Sequence, residues 1–430
     1  MNALENTDGR RPSKIVFACA GSLGEIYPMI ALAAGMKKRG HQTCIAAPNI
    51  YETAVAKAGL EFHRLRPDIS LNQDQIDRIW RNVNVWIKEI QRPALNDAYA
   101  DLMSAMQGAD MLVSRHPVLV APQVAEMTGA KWVTTKLAPA EYMSRFDPVL
   151  LGSSLFSRAL YRTPALPSLI SAPLHSLSVR YCHMGIGELR KSIGLAPSRF
   201  PDHRGTKPPD LELVMFSKLL GTPMPDWPAE ALQTGAVFMD EAVPEAPLDA
   251  RIEKFLCEGA PPVIFALGSL GGASIVQRFL RLAIEAVDEV GARAILLCGG
   301  EHNRRSLPAD LPPSVLAIDQ APFGQLFARG SVLVTHGGVG TVSLALRSGK
   351  PQIIWPYTFD QPDNAARLER IGLAQAIYRH DCSVSDLASR IHRALNSAET
   401  ISLANNAAHV IANEHGLESA CQALERALVS

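Results

Sequence analysis

Short runs of apolar residues alternate along the chain with longer stretches in which apolar positions recur at the spacing of an amphipathic helix. An order of strand, helix and strand is typical of βαβ units, whose strands form parallel sheets. Two such series can be followed, and a proline-rich stretch separates them. The pattern therefore predicts two α/β domains, each built on a parallel sheet.

Each series predicts its own set of strands and helices. The first is expected to contain strands at 14–19, 43–47, 62–65, 111–114 and 132–136, and a helix at 26–39 with Pro28 in its first turn. The second is expected to contain strands at 263–267, 294–298 and near Leu316, Leu333, Ile353 and Ala376, and a helix at 275–290. A later helix is expected to begin at a capping box formed by Ser383 and Asp386.

These series also set the expected domain boundaries. Residues 1–225 are assigned to the first domain, 226–248 to a linker and 249–407 to the second domain. A last helix at about 408–430 is expected to pack back on the first domain. A length of 430 residues agrees with two domains, because a single core rarely grows that large.

The charge balance excludes one broad class of partner. The chain carries 42 basic and 42 acidic side chains, so it lacks the overall basic field of a dedicated nucleic-acid binder. An anionic ligand must then be held by local geometry. The seven cysteines are scattered without a CxxC spacing, which argues against a disulfide framework and a zinc site.

Neither a signal peptide nor a membrane span is predicted. The first fourteen residues contain no apolar core, and proline and glycine interrupt the longest charge-free runs. A cytoplasmic location is therefore expected. One stretch, 148–187, contains no acidic residue and carries Arg158, Arg162 and Arg180 among apolar side chains. It is interpreted either as a helix pair covering the first sheet or as a wall for a lipophilic acceptor or a membrane surface.

The strongest chemical signal follows the predicted strand near Leu333. The sequence His336-Gly-Gly-Val-Gly-Thr341 leads directly into a predicted helix. Glycines let a ligand approach the backbone closely, and the free N–H groups at a helix start favour a phosphate. The candidate anion site therefore contains His336, Gly338, Val339, Gly340 and Thr341. A structural role for His336 at the strand end is the alternative.

Two further turns lie at predicted transitions from strand to helix, where open parallel sheets bind ligands. Asp360 and Gln361 follow the strand near Ile353, and their side chains suit vicinal sugar hydroxyls. Helix capping by Asp360 is the structural alternative. Ser269 lies in a glycine turn at 268–272, which would add N–H donors and a hydroxyl, or serve only as a tight turn.

The first glycine turn, at 21–25, differs from a dinucleotide-binding fingerprint. Its spacing is GxxG, and no acidic residue ends the second strand to bind a ribose diol. Glu25 remains as a carboxylate on this turn, with a solvated position in the first helical turn as the alternative. No DxD sequence or His/Cys/Asp/Glu cluster indicates a metal site.

In combination, the GSxGExxP turn at 21–28, the HGGVGT sequence at 336–341 and the DQxxNA sequence at 360–365 resemble family 1 glycosyltransferases of the GT-B fold. In that fold two Rossmann-like domains face each other across a cleft. Within the family, the chain is most similar to the bacterial branch that holds rhamnolipid rhamnosyltransferase, macrolide and glycopeptide glycosyltransferases and sterol glucosyltransferases.

The resemblance implies roles for individual residues, most of them at the donor site. The diphosphate would be held by His336, the N–H groups of Gly338, Val339, Gly340 and Thr341, and the hydroxyls of Ser269 and Thr341. Asp360 and Gln361 would contact the donor sugar, and Gln320 and Ala321 would lie at the nucleobase. In the first domain, Ser22 and Gly24 would form a loop near the donor phosphate.

Three positions depart from the common family pattern. Gln320 stands where many members have an aromatic residue that stacks on the nucleobase. Glu25 stands where the bacterial branch usually has an Asp that deprotonates the acceptor, and a Glu can perform the same reaction. Leu344 stands where many relatives have a Glu that binds the ribose hydroxyls. An apolar residue there fits a 2′-deoxyribose donor such as dTDP-rhamnose, and UDP-glucose remains open.

The expected function is therefore metal-independent, inverting transfer of a hexose from a UDP-glucose or dTDP-rhamnose type of donor to a hydroxyl of a lipophilic acceptor. No cofactor and no nucleic-acid partner are expected, and contact with the inner face of a membrane is an open alternative. Two other functions also remain: a sugar-nucleotide epimerase of the same fold, and a non-catalytic protein that binds nucleotide-sugars or lipids.

Overall fold

The computed structural model describes residues 12–68, 85–115, 118–150, 185–198, 208–267, 273–378 and 382–430. Isolated positions between these ranges are described as well, among them Arg158 and Tyr161.

A parallel sheet of seven strands forms the first domain. In chain order the strands are β1 (Lys14–Ala18), β2 (Gln42–Ala47), β3 (Glu61–Arg64), β4 (Met111–Arg115), β5 (Lys131–Lys136), β6 (Leu211–Val214) and β7 (Ala231–Gln233). Their spatial order is β3-β2-β1-β4-β5-β6-β7, and Phe17 of β1 pairs with Ile45 on one side and Val113 on the other. The winding reverses between β1 and β4, which opens a crevice at their carboxyl ends.

A second parallel sheet has six strands. They are β8 (Val263–Ala266), β9 (Ala294–Leu297), β10 (Val315–Ile318), β11 (Val332–Thr335), β12 (Gln352–Ile354) and β13 (Ala374–Ala376). The spatial order is β10-β9-β8-β11-β12-β13, with Val334 of β11 between Phe265 and Ile353. Here the winding reverses between β8 and β11. Both all-parallel sheets confirm the predicted fold class.

Helices cover both faces of each sheet. They are α1 (Leu23–Lys38), α2 (Glu52–Lys57), α3 (Leu95–Ala105), α4 (Ala121–Thr128), α5 (Ile186–Ser192), α6 (Ala250–Cys257), α7 (Ala273–Val290), α8 (Glu301–Arg304), α9 (Phe323–Ala328), α10 (Val339–Ser348), α11 (Gln361–Arg370), α12 (Val384–Asn396), α13 (Ala398–Ala412) and α14 (Gly416–Val429).

The strands are apolar on both faces because each face meets helices. On one face of the first sheet, Phe17 packs with Met29 of α1 and Leu424 of α14. On the other face, Val16 packs with residues of α3 and α4, including Leu102 and Val124. The second sheet is covered in the same way by α7 and α12 on one face and by α6 and α9 on the other.

The two sheets are joined by a shared apolar cluster. Phe216, which follows β6, is buried together with Val342 of α10 and Leu368 of α11. Arg367 of α11 is also buried and forms an ion pair with Asp147 of the first domain. These contacts fix the carboxyl ends of the two sheets opposite each other.

Three differences from the sequence-based expectations bear on the site. Helix α1 begins at Leu23 rather than at 26, because Ser22 acts as its N-cap and brings Glu25 into the first turn. Strands β6 and β7 were not predicted from the sequence. The first sheet extends through them into the range predicted as linker, and β7 pairs with β6 there.

The stretch 148–187 lies largely outside the described residues. Of its described members, Arg158 places its guanidinium 4.2 Å from the ring centroid of Tyr378, and the hydroxyl of Tyr161 accepts from Arg370 at 3.3 Å. Both contacts reach the second domain. Among the helices in the described part of the chain, none is both long and apolar enough to cross a membrane.

Candidate active site

The crevices of the two sheets meet at a pair of glycines. Gly24 lies in the first turn of α1, after β1, and Gly340 lies in the first turn of α10, after β11. A methyl group placed on Gly340 would lie 3.2 Å from the Cα atom of Gly24. Two helix N-termini therefore meet at one cleft, and their N–H groups create a positive potential there.

Glu25 folds back over its own turn. Its Oε2 atom accepts the backbone N–H of Ser22 at 3.0 Å, which closes a capping box. Gly21 makes this possible, because a methyl group there would lie 1.6 Å from Oε2, and its φ of 136° is one that side-chain-bearing residues rarely adopt. The glycine turn therefore positions the carboxylate as well as the backbone.

Arg115 holds the other oxygen of the Glu25 carboxylate. Its Nη2 atom donates to Oε1 of Glu25 at 3.0 Å, and its Nη1 atom donates to Oε2 of Glu141 at 2.6 Å. Arg115 is buried at the end of β4, whereas the Glu25 side chain is 21% exposed. The Glu141 side chain is 17% exposed, so exposure alone does not distinguish the two carboxylates, but Glu25 is the one that lies on the glycine turn at the cleft.

The surroundings of Glu25 favour its protonated form. Burial raises the pKa of Glu25 above its ordinary value, although Arg115 and the Ser22 N–H act in the opposite direction. Burial likewise raises the pKa of the nearby Cys19 thiol, which stays neutral. A carboxylate with a raised pKa is a stronger proton acceptor once it is ionised.

The loop after β11 forms the start of α10, as the sequence predicts. Gly337 has a φ of 87°, and a methyl group on it would lie 2.5 Å from Ile354. A methyl group on Gly338 would lie 2.6 Å from Nε2 of His336. The imidazole therefore lies beside Gly338, the N-cap of α10, and the residues Val339, Gly340 and Thr341 follow in the first turn of that helix.

His336 is neutral in this environment. Burial lowers its pKa to about 4, against the opposing effect of the Ala266 backbone. A neutral imidazole donates one hydrogen bond and carries no charge. The positive potential at this loop therefore comes from the helix N-terminus.

Asp360 is the first residue before α11, but its side chain caps a different helix. Its Oδ2 atom accepts the Val339 N–H of α10 at 3.1 Å and the Asn364 side chain at 2.7 Å. The expected alternative, in which it caps its own helix, is wrong for the side chain. Burial raises the pKa of Asp360 to about 6, and the charge of Glu25 contributes in the same direction.

Gln361 stabilises the loop that precedes it. Its side-chain carbonyl accepts the N–H groups of Tyr357 and Thr358 at 2.9 and 3.1 Å, and the residue is buried. Phe359, which lies between Thr358 and Asp360, is 57% exposed and has a φ of 57°. A large residue in the left-handed region next to Asp360 marks local backbone strain.

The remaining predicted residues are more dispersed. Gln320 is exposed and Ala321 half-buried in the turn between β10 and α9. Leu344 lies in α10 and packs against apolar residues of both adjoining clusters. Ser269 lies outside the described residues. Among the residues that are described, no group of three or more His, Cys, Asp or Glu side chains is arranged to hold a metal ion.

Sequence reasoning missed Arg115, Glu141 and Asn364. Arg115 is one residue beyond the end of the strand predicted at 111–114, and parallel strands β1 and β4 bring it to Glu25. A charged residue at the carboxyl end of a predicted strand was the available signal. The contact of Asn364 with Asp360 follows from their spacing of four residues on one helix face.

Two family models match the chain. Residues 15–142 match the glycosyltransferase family 28 N-terminal domain, and residues 281–421 match the C-terminal domain described as erythromycin biosynthesis protein CIII-like. The matches fall on the two sheets separately. Together they cover more than half of the chain, including both helix N-termini of the cleft.

Similar proteins extend these matches over nearly the whole chain. O-mycaminosyltylonolide 6-deoxyallosyltransferase of Streptomyces fradiae is 26% identical over 427 residues, which cover 96% of this chain and 97% of that protein. The chain belongs to the family 1 glycosyltransferases. Sterol 3-beta-glucosyltransferase of Cryptococcus neoformans is 28% identical over 456 residues. That match covers 97% of this glycosyltransferase but only 27% of the length of the fungal protein.

Solved structures agree with the fold of this glycosyltransferase. The glycosyltransferase VinC, solved in complex with DTDP, superposes with a TM-score of 0.67 at 19% identity and covers 96% of this chain and 99% of its own. The resemblance that the sequence motifs carried to family 1 glycosyltransferases of the GT-B fold is confirmed.

Proposed function

We propose that this glycosyltransferase is a metal-independent, inverting hexosyltransferase that acts on a hydroxyl of a lipophilic small molecule. The observation that carries the proposal is the contact between Gly24 and Gly340. Through it, the carboxylate of Glu25 and the N-terminus of α10 belong to one cleft. A proton acceptor and an anion site are the two groups that direct displacement at an anomeric carbon requires.

In the proposed reaction, Glu25 takes the proton of the acceptor hydroxyl. The acceptor oxygen forms a bond to the anomeric carbon, and the bond from that carbon to the diphosphate oxygen breaks with its electron pair. A single displacement of this kind inverts the anomeric configuration. Geometry supports the base role, because the carboxylate is partly exposed. Each of its oxygens accepts one fixed hydrogen bond and has a second lone pair for a proton.

The leaving diphosphate is assigned to the start of α10. The N–H groups of Gly340 and Thr341 and the imidazole of His336 would donate to its oxygens, and the helix dipole favours its charge. Preorganised donors of this type stabilise charge that develops in the transition state. Neutral His336 has a single N–H, so this contact requires the tautomer whose N–H faces the cleft rather than the Ala266 backbone.

The sugar is assigned to the loop before α11. The Oδ2 atom of Asp360 holds Val339 and Asn364, so Oδ1 is the atom that would accept a sugar hydroxyl. The carbonyl of Gln361 holds the loop backbone, so its amide NH2 would donate to a neighbouring hydroxyl. Pairing one acceptor with one donor suits vicinal hydroxyls.

The nucleoside is assigned to the turn after β10. The exposed Gln320 and the half-buried Ala321 would line the base, and the apolar Leu344 favours a 2′-deoxyribose over a ribose. The DTDP bound by VinC supports a thymidine nucleotide. UDP-glucose remains the alternative donor, and it is one arm of the test below.

The acceptor is assigned to the carboxyl end of the first sheet. A small cavity of about 30 Å³ lies there, next to Ala20, and its lining is mostly apolar but includes Arg66 and Gln91. The names of the Streptomyces and Cryptococcus relatives point to a macrolide and a sterol, respectively. A lipophilic acceptor agrees with these names, and it would bind in the open cleft because the cavity itself has room for only about one water molecule.

The decisive experiment measures release of nucleoside diphosphate from UDP-glucose and dTDP-sugars, with and without a panel of sterols, macrolide aglycones and hydroxy fatty acids. Acceptor-dependent release that persists in EDTA, with a product of inverted anomeric configuration, is expected. Donor turnover without any acceptor would indicate an epimerase, and donor binding without release across the panel would indicate a binding protein. Either result would overturn the proposal.

The role of Glu25 has its own test. Glu25→Gln should lower turnover by roughly 10²- to 10⁴-fold, the usual contribution of a general base, while donor binding is retained. Glu126→Gln is the control, because Glu126 pairs with Arg190 away from the cleft. Unchanged turnover of Glu25→Gln would exclude Glu25 as the base.

A further inference from the structure

The Glu25 side chain is long and flexible, so a base at this position needs something to fix its direction. Its Oε2 atom is fixed by the N–H of Ser22, and its Oε1 atom by Nη2 of Arg115. Of these two contacts, only the one from Arg115 comes from outside the turn at 21–25. Arg115 therefore determines the direction in which the carboxylate points into the cleft.

Arg115 is itself held rigidly. Besides Glu25, it donates from Nη1 to Glu141 at 2.6 Å and to the carbonyl of Thr135 at 3.2 Å. The Oε1 atom of Glu141 accepts the N–H groups of Leu137 and Ala138 at 2.8 and 3.1 Å. A continuous series of hydrogen bonds thus connects the backbone after β5 to the carboxylate of Glu25.

Two carboxylates share the single charge of this guanidinium. If Glu25 had Arg115 to itself, the ion pair would make its carboxylate a poor proton acceptor. Glu141 lies closer to Arg115 than Glu25 does, at 2.6 against 3.0 Å. The second carboxylate therefore offsets part of the effect of the arginine on the first.

We infer that Arg115 and Glu141 are positioning residues that aim the Glu25 carboxylate and set its strength as a base. Neither residue contacts a substrate in this assignment, and both act through Glu25. The inference rests on the proposed function, because it concerns the base of that reaction. It extends the site to β4 and to the turn Pro139–Glu141, which the sequence motifs do not include.

The charged and titratable groups around Glu25 are known from every element that packs on it. Arg115 and Glu141 face it from the first domain, together with Cys19 and Tyr51, and Asp360 faces it from the second. Burial raises the pKa of Cys19 and of Tyr51, so both are neutral across the working range. Asp360 is unaltered in the variants below.

The test compares the pH dependence of kcat/KM in two variants that change the charge in opposite directions. Arg115→Met removes a cation that lowers the pKa of Glu25. The acid limb, which is the part of the pH profile where kcat/KM falls as Glu25 becomes protonated, should therefore move to higher pH. Glu141→Gln removes an anion that raises this pKa, so the limb should move to lower pH. Near neutral pH, Arg115→Met should lose about 10- to 100-fold in kcat with little change in donor KM.

A structural control is available in the same domain. Arg190 is buried and pairs with Glu126 at 2.8 Å, away from the cleft. Arg190→Met should lower the melting temperature without moving the acid limb. Arg115→Lys keeps the charge but loses the two-pronged geometry, so it should keep the wild-type limb and recover only part of kcat.

Each outcome supports or overturns the inference. If the acid limb moves to higher pH in Arg115→Met and to lower pH in Glu141→Gln, the inference is supported. Displacements of the same sign, or none, overturn it while the proposed function stands, provided that Glu25→Gln is inactive. An active Glu25→Gln would instead refute the base role in the proposed function. If Arg115→Met does not fold, the shift of the acid limb in Glu141→Gln tests the inference alone: a shift to lower pH supports it, and a shift to higher pH or no shift overturns it.

Discussion

Gly24 and Gly340 touch across the cleft, so closely that a methyl group on Gly340 would lie 3.2 Å from the Cα atom of Gly24. The two residues come from different sheets and begin the two helices that face the candidate site. The distance between the proposed base, Glu25, and the proposed anion site therefore depends on a contact between two backbones. A side chain on Gly340 would press them apart, whereas a methyl group on Gly24 would have its nearest contacts at 3.8 to 4.0 Å.

Gly340→Ala should accordingly lower kcat by about tenfold, because small displacements of reacting groups are costly in catalysis. Stability should change little, since a helical Ala compensates for a tight contact. Steady-state kinetics and thermal unfolding would measure the two effects. Gly187→Ala in α5 is the control, because no atom lies within 4 Å of the added methyl group. Unaltered kinetics in Gly340→Ala would show that the cleft works in a more open arrangement.

Gly338→Ala should imitate the loss of His336. The added methyl group would lie 2.6 Å from Nε2 of His336 and displace the half-buried imidazole. Both Gly338→Ala and His336→Ala should raise the donor KM by about tenfold, the value of one lost hydrogen bond to a charged group. The double variant should be no worse than either single one, because both remove the same contact. Additive losses would contradict this coupling.

Asp360 should make stability depend on pH in the acidic range. Its pKa in the folded protein is about 6, above the ordinary 3.8, so the fold holds this proton more tightly than the unfolded chain. The resulting stabilisation is complete below about pH 4 and is lost as the pH rises through 6. The free energy of unfolding of Asp360→Asn, relative to that of wild type, should therefore rise by roughly 2 to 3 kcal/mol from pH 4 to pH 7.

Urea unfolding at several pH values would measure this difference. Asp249→Asn serves as the control, because Arg251 lowers the pKa of Asp249 and no such gain is expected. A constant difference between wild type and Asp360→Asn across this range would mean that Asp360 is not perturbed. Donor KM should also rise in Asp360→Asn, because an amide is a weaker acceptor for a sugar hydroxyl.

Phe359→Gly should stabilise the fold while it impairs the reaction. A φ of 57° costs a residue with a side chain roughly 1 kcal/mol, which glycine avoids. The exposed ring lies beside Asp360, so its loss should lower kcat/KM several-fold. Chemical denaturation and kinetics would separate the effects. Phe146 is similarly exposed at 51% but has no left-handed φ, so Phe146→Gly should only destabilise.

Much of the site could be predicted because its chemistry is local in sequence. The turn at 336–341 and the start of α10 require only neighbouring glycines and a strand before them, and the structure agrees there. The role of the Asp360 side chain could not be predicted, because its partner Val339 lies on another helix. Local rules assign such an Asp to its own helix N-terminus.

The support of Glu25 depends on contacts that are distant in sequence. Arg115 is 90 residues from Glu25 and becomes its neighbour only because β1 and β4 are adjacent in the sheet. The apolar pattern predicts both strands but not their order. The early start of α1 was missed for a different reason, since its N-cap residue Ser22 follows a glycine whose φ favours a turn.

Helix α14 belongs to the core of the first domain but follows the second domain in the sequence. Its residues Cys421 and Leu424 complete the core beneath α1, and Arg39 at the end of α1 pairs with Glu425 at 3.0 Å. On the ribosome, the N-terminal sheet is made first, but the helix that carries Glu25 stays uncovered until Val429 has emerged. The side of the cleft that carries Glu25 is therefore completed only after the second domain has been synthesised.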